Sequence, residues 1–173
     1  MNIVGEKIIL RAIEAKDCDI LREMMNDPET EYLLGGWSFP VSKEEQQNWF
    51  ESQHNNKNIL RVMMDAGENT IGTAILSDID YKNGIAQIHV KLHGSENQHK
   101  GYGTETIMTL SNYAFHELRL HCVYAEVSQH NIPSQKLFRK CGFEQEGVLR
   151  DRLFKKGKYI NVIVFSKLGE PDA

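Results

Sequence analysis

Apolar and polar residues alternate along residues 85–92, with Ala86, Ile88, Val90 and Leu92 on one side and Gln87, His89 and Lys91 on the other. A period of two predicts a strand with one buried face. Beyond residue 104 the period changes: Ile107, Leu110, Ser111, Ala114 and Phe115 recur at the spacing of one helical stripe. Similar short patterns, separated by turn signals, run through the rest of the chain. They predict a strand over 7–12, a helix over 17–26, a loop through Pro28 and Gly35, and a second helix over 43–53. Strands follow over 59–65, 70–80 and 85–92, then the helix after residue 104, a strand over 122–128 and a short helix from Asn131. Two strands close the chain around the turn Lys155, Lys156, Gly157, Lys158. This order predicts a mixed α/β sheet in one domain spanning residues 1–173.

The first candidate chemistry lies where strand gives way to helix, in Gln98, His99, Lys100, Gly101, Tyr102, Gly103 and Thr104. Two glycines let the backbone turn freely and leave successive N–H groups at the positive end of the helix, which is a cradle for diphosphate. A tight strand-to-helix turn is the plainer reading of the same glycines. Neither familiar phosphate motif fits. A dinucleotide fingerprint needs a third glycine where this chain has Thr106, and a P-loop needs Gly-Lys-Ser/Thr at its end.

A second constellation begins at Asn131. This residue suits an N-cap, Pro133 suits the first turn, Leu137, Phe138 and Cys141 share a face, and Gly142 suits the stop. Taken together, Gln98-x-x-Gly101-x-Gly103 and Asn131-x-x-Ser134 through Gly142-Phe143 resemble the GNAT acyl-CoA N-acetyltransferases. The resemblance covers nearly the whole chain. Ile71-Gly72, the turn at Lys82-Asn83-Gly84, Gly147 to Arg150 and Gly157-Lys158-Tyr159 are similar to the subgroup of ribosomal-protein N-terminal and polyamine acetyltransferases.

The resemblance implies a single-domain GNAT-like fold, a mixed and mostly antiparallel sheet flanked by helices. It implies acetyl-CoA as co-substrate, held by Val90, Lys91 and Leu92 at the strand end, by the loop from Gln98 to Thr104, and by Asn131, Ser134 and Phe138. Direct attack of an amine on the thioester then needs donors for an oxyanion and a base for the amine. Many relatives carry a carboxylate at the position of Gln87 and a tyrosine at that of Phe138; neither residue present here titrates. His89, on the face of Gln87, becomes the candidate base, with an ordinary pKa near 6.5. Ser134 is the candidate for protonating the leaving thiolate, with Tyr102 and Tyr124 behind it.

Composition adds limits. A chain of 173 residues with 40% hydrophobic and 25% charged residues has the balance of one ordinary globular domain. A net charge of −4 without a clustered basic face disfavours nucleic acid. No long apolar stretch predicts a membrane span or signal, so a cytoplasmic location is expected. Three scattered cysteines, Cys18, Cys122 and Cys141, predict buried thiols, and His116 and His121 are too far apart in register for a zinc-protease helix. Metal binding is not expected.

Between Glu23 and Glu51 stand seven acidic residues against Lys43 alone. In the family this region forms the acceptor side, so an acidic wall favours a polyamine or other small cationic amine. The plainer reading is two solvated helix faces. Glu31, Tyr32 and Trp37 are the candidate acceptor residues, a carboxylate beside aromatic faces in the predicted loop. A protein N-terminus is the alternative acceptor, a non-catalytic acetyl-CoA sensor the alternative class, and a homodimer through the closing strands an open expectation.

Overall fold

A computed structural model describes residues 1–35, 39–53 and 56–169. Eight strands form one sheet in the order β1-β2-β3-β4-β5-β6-β8-β7. They are β1 (Ile3–Val4), β2 (Ile9–Arg11), β3 (Leu60–Ala66), β4 (Asn69–Asp80), β5 (Ile85–Leu92), β6 (Cys122–Ser128), β7 (Glu144–Lys155) and β8 (Lys158–Leu168). Every neighbouring pair is antiparallel except β5 and β6. The helices are α1 (Cys18–Met25), α2 (Pro28–Leu34), α3 (Lys43–Ser52), α4 (Tyr102–His116) and α5 (Ile132–Lys140).

The parallel pair requires a crossover, and α4 supplies it. Its stripe buries Ile107, Leu110, Ser111 and Ala114 completely, as the helical spacing requires. These side chains join Val62, Leu76, Ala86, Ile88, Val123, Ala125 and Phe165 in one core. Because side chains alternate across a strand, the opposite face carries Arg61, Thr73, Ile75, Ser77, His89, Lys91, Glu126 and Ser128. That polar face looks toward α1, α2 and α3.

One buried ionic cluster ties the first strands together. The Arg11 guanidinium donates to both Asp17 carboxylate oxygens at 2.8 and 2.9 Å, to Asp65 at 2.5 Å and to the Thr70 hydroxyl at 3.0 Å.

The largest departure from the sequence expectation is α2, which occupies the segment predicted as a loop. Its signals are all present: the Asp27 side chain caps Thr30 N at 3.0 Å, Pro28 takes the first turn, and Gly35 ends the helix at φ +70°. Proline read as a breaker is here an initiator. The strand expected over 7–12 is also shorter, because a bend separates β1 from β2.

Candidate active site

The site originates in a failure of pairing. The parallel ladder between β5 and β6 extends only from Ile85 opposite Cys122 to Gln87 opposite Tyr124. Beyond that row the strands splay. His93 N donates to Ile71 O at 2.8 Å, which fixes the phase of the antiparallel β4–β5 ladder. In that phase Lys91 and His89 direct their backbone groups to β4, whereas Val90 and Leu92 direct theirs into the splay. Two of the three strand-end residues expected to meet the co-substrate therefore offer backbone donors and acceptors there. Lys91 does not: its ammonium donates to the Met24 carbonyl at the end of α1, on the opposite side from the phosphate loop.

The loop before α4 is built as the sequence suggested. Gln98 closes a 3-10 turn by donating to Ser95 O at 3.1 Å; His99 and Gly101 adopt φ +60° and +86° on either side of Lys100. This alternation directs the N–H groups of the first helical residues, Tyr102, Gly103 and Thr104, out of the α4 N-terminus. A Cβ at Gly103 would lie 3.2 Å from Leu137, so that glycine lets α5 approach α4. On α5, Asn131 accepts from Ser134 N at 3.1 Å and is nearly fully buried. Phe138 packs edge-on against Phe143, with ring centroids 5.1 Å apart, and stacks on Phe165. The pattern of unpaired strand edge, left-handed turn and helix N-terminus fits the amide-bearing arm and diphosphate of acetyl-CoA.

On the polar face of the sheet a cleft of about 750 Å³ opens beside the splay. Its lining includes Met24, Trp49, Arg61, His89, Glu126 and Ser134. His89 Nε2 lies 2.9 Å from Ser77 Oγ, and that hydroxyl donates to Asp78 Oδ2 at 3.1 Å. Asp78 sits at φ +50° in the irregular stretch where β4 departs from its register with β5. The His89 ring is accessible from the cleft but hemmed in by its walls; desolvation lowers its pKa, with the Asp78 charge opposing.

Glu126 is the residue that sequence reasoning missed. It follows Tyr124 by two on β6, so its side chain stands on the His89 face, one row past the last paired residues. Once the 122–128 strand is placed parallel to β5, the alternation rule finds it.

The expected acceptor residues behave differently. Glu31 and Tyr32 lie on α2, not in a loop, and Trp37 lies outside the described residues. The Glu31 carboxylate pairs with the nearly buried Lys155 ammonium of the β7–β8 hairpin. Lys156 Nζ sits 4.2 Å from the Tyr32 ring centre, and that ring also stacks near His130. Carboxylate and aromatic face do hold ammonium groups, but those of the chain itself. Other acids of the segment are spent on helix starts: Asp27 caps α2, and Glu45 accepts from Ser42 N at 2.7 Å at the start of α3.

Comparison with known proteins agrees with this fold. Residues 7–144 match the model of the acetyltransferase (GNAT) domain. An N-acetyltransferase from Bacillus licheniformis, p20, is 33% identical over 171 residues, covering 96% of each chain. The spermidine N(1)-acetyltransferase of Vibrio cholerae is 27% identical, covering 92% of this chain and 91% of its own. The crystal structure of the Vibrio cholerae spermidine N-acetyltransferase with CoA and spermine superposes with a TM-score of 0.88 at 25% identity, covering 94% and 95% of the two chains. RimL, a ribosomal L7/L12 α-N-protein acetyltransferase solved with CoA, shares the fold at a TM-score of 0.88 and 17% identity, covering 97% and 98%. The chain belongs to the GNAT acetyltransferase family and is an N-acetyltransferase that uses acetyl-CoA.

Proposed function

We propose that the protein transfers the acetyl group directly to the primary amine of a small acceptor held in the cleft, with His89 as the base. The observation that carries this reading is an imidazole at the mouth of the β5–β6 splay, facing the cleft. Bound acetyl-CoA supplies an activated thioester carbonyl at that mouth. The Val90 N–H, aimed into the splay, is the donor for the oxyanion that develops on attack. Leu92 holds the extended arm through its backbone, the loop from Gln98 to Thr104 holds the diphosphate, and Asn131, Ser134 and Phe138 flank the opposite side.

An alkyl ammonium has a pKa of about 10.4, like lysine, and must lose a proton before it attacks. The Ser77 proton is committed to Asp78, so Ser77 accepts from His89 Nε2–H. That tautomer leaves the Nδ1 lone pair available to accept a proton. The lowered pKa keeps the ring neutral at pH 7. Glu126, across the splay, draws the ammonium to this edge. Ser134, on the α5 side of the cleft, relays a proton from solvent to the departing sulfur, giving up its own hydroxyl proton as it accepts one from water.

The likeness to the Vibrio cholerae enzyme supports a small amine as acceptor. The acidic segment adds little to a polyamine reading, because Glu31, Asp27 and Glu45 already have partners within the fold. Mass spectrometry of spermidine, spermine, amino sugars and N-terminal peptides incubated with acetyl-CoA tests the reading. One added acetyl on a small amine is expected; acetylation of peptides alone moves the acceptor to a protein N-terminus. Cofactor binding without transfer to any amine removes the catalytic assignment.

A further inference from the structure

The cleft carries a cation that the acetyl transfer above does not use. Arg61 on β3 stands opposite Ile75, and Ile75 stands opposite His89, so the three occupy one row of the polar face. Glu126 continues that row across the splay. The guanidinium donates to Gln53 Oε1 at 2.6 Å and lies 5.7 Å from the centre of the Trp49 ring, which also lines the cleft. A guanidinium has five donor hydrogens, and among the described residues no carboxylate pairs with this one. Burial against the α3 wall lowers its pKa, the direction expected of a desolvated cation without a counterion.

We propose that Arg61 binds an oxyanion on the acceptor, so that the acceptor is an amine carrying a carboxylate or phosphate at its other end. The claim rests on the acetyl-transfer reading and names the substrate class of the same cleft. Charges along the row explain the polarity. Glu126 and His89 lie at the amine end, where the thioester arrives; Arg61 lies two strands away, about 10 Å at the backbone. Of the other charged groups lining the cleft, Glu45 is committed to the α3 cap and Lys91 to the Met24 carbonyl. A doubly cationic acceptor would meet Arg61 with its second ammonium. The cofactor's own phosphates do not reach this position, because the α4 N-terminus lies on the other face of the sheet.

The test uses acceptors of matched length: 6-aminohexanoate, aminopentyl phosphate and cadaverine. Transfer is measured for the native enzyme, Arg61→Gln and Arg61→Lys, after thermal melts show that the variants are folded. For the native enzyme, kcat/KM for at least one anionic acceptor exceeds that for cadaverine. Arg61→Gln lowers this ratio by about 10- to 100-fold, mainly through KM, the range expected when a charged hydrogen-bond partner is lost. Arg61→Lys restores part of it. Preference for the carboxylate or for the phosphate identifies which oxyanion is the natural one. A native preference for cadaverine, or a ratio that Arg61→Gln leaves unchanged, overturns the proposal.

Calorimetric binding of the same three compounds to the CoA complex separates this proposal from the catalytic one. Arg61-dependent binding of the anionic compounds without turnover keeps the site and sinks the reaction. Equal binding of all three sinks the site.

Discussion

Replacing His89 with alanine removes the imidazole that faces the splay while leaving the strand and its buried face intact. General-base catalysis contributes about 10²- to 10⁴-fold, so kcat should fall by that factor while the affinity for acetyl-CoA holds. The structure also sets the size of the effect one step back. Ser77 holds the ring through a single 2.9 Å hydrogen bond, and a neutral hydrogen bond is worth about 0.5–1.5 kcal/mol. Ser77→Ala should therefore cost about 2- to 10-fold, and combining it with His89→Ala should add little, since there is no longer a ring to orient. The pH profile supplies the diagnostic. Desolvation lowers the His89 pKa, so kcat/KM should rise with pH along a limb centred below the usual histidine value of about 6.5. That limb should be absent from His89→Ala. Initial rates from thiol release across pH 5 to 9, about the range in which histidine changes charge, measure all of this. An alanine variant with native turnover and an unchanged acidic limb would refute the assignment and move the base to Glu126 or to water.

Gly101→Val should abolish acetyl-CoA binding in calorimetry while the fold survives, because φ +86° is strained for any residue with a Cβ although the space beside it is open. Asn131→Ala removes the α5 cap and should lower stability by about 1 kcal/mol and weaken cofactor affinity, both readable from one thermal-shift titration. Arg11→Met leaves the Asp17 carboxylate buried without its partner and should cost about 3–5 kcal/mol in urea denaturation. The same pair sets an acid limit. Burial raises the Asp17 pKa, but hydrogen bonds from Arg11 and from Glu14 N outweigh it and leave the pKa below the usual carboxylate value. The folded form therefore gains from the charged carboxylate above pH ~4, and this gain is lost as pH falls through the lowered pKa; Asp17→Asn should flatten that part of the stability curve.

Much of this protein was legible without coordinates, for local reasons. The alternation over residues 85–92, the stripe from Ile107 to Ala114 and the cap at Asn131 depend on periods of two and 3.6 and on backbone donors within a few residues. The structure reproduces β5 and β6 over the expected residues and places Gly101 at the positive φ that its glycine permits. What the chain alone could not supply is who meets whom across it. Glu31 and Tyr32 were read as candidates for holding the ammonium of an acceptor; that they hold Lys155 and Lys156 of the chain itself depends on a hairpin more than 120 residues away folding over α2. The splay that makes the site is likewise a relation between strands: the divergence of β5 from β6 after Gln87 and Tyr124 frees Val90 and Leu92, and the strand registers bring Arg61, His89 and Glu126 into one row. Local sequence sets which residues form an element and which face they share. Charge neutralisation and strand divergence depend on contacts distant in sequence, so tertiary structure alone decided which of these side chains remain available for chemistry.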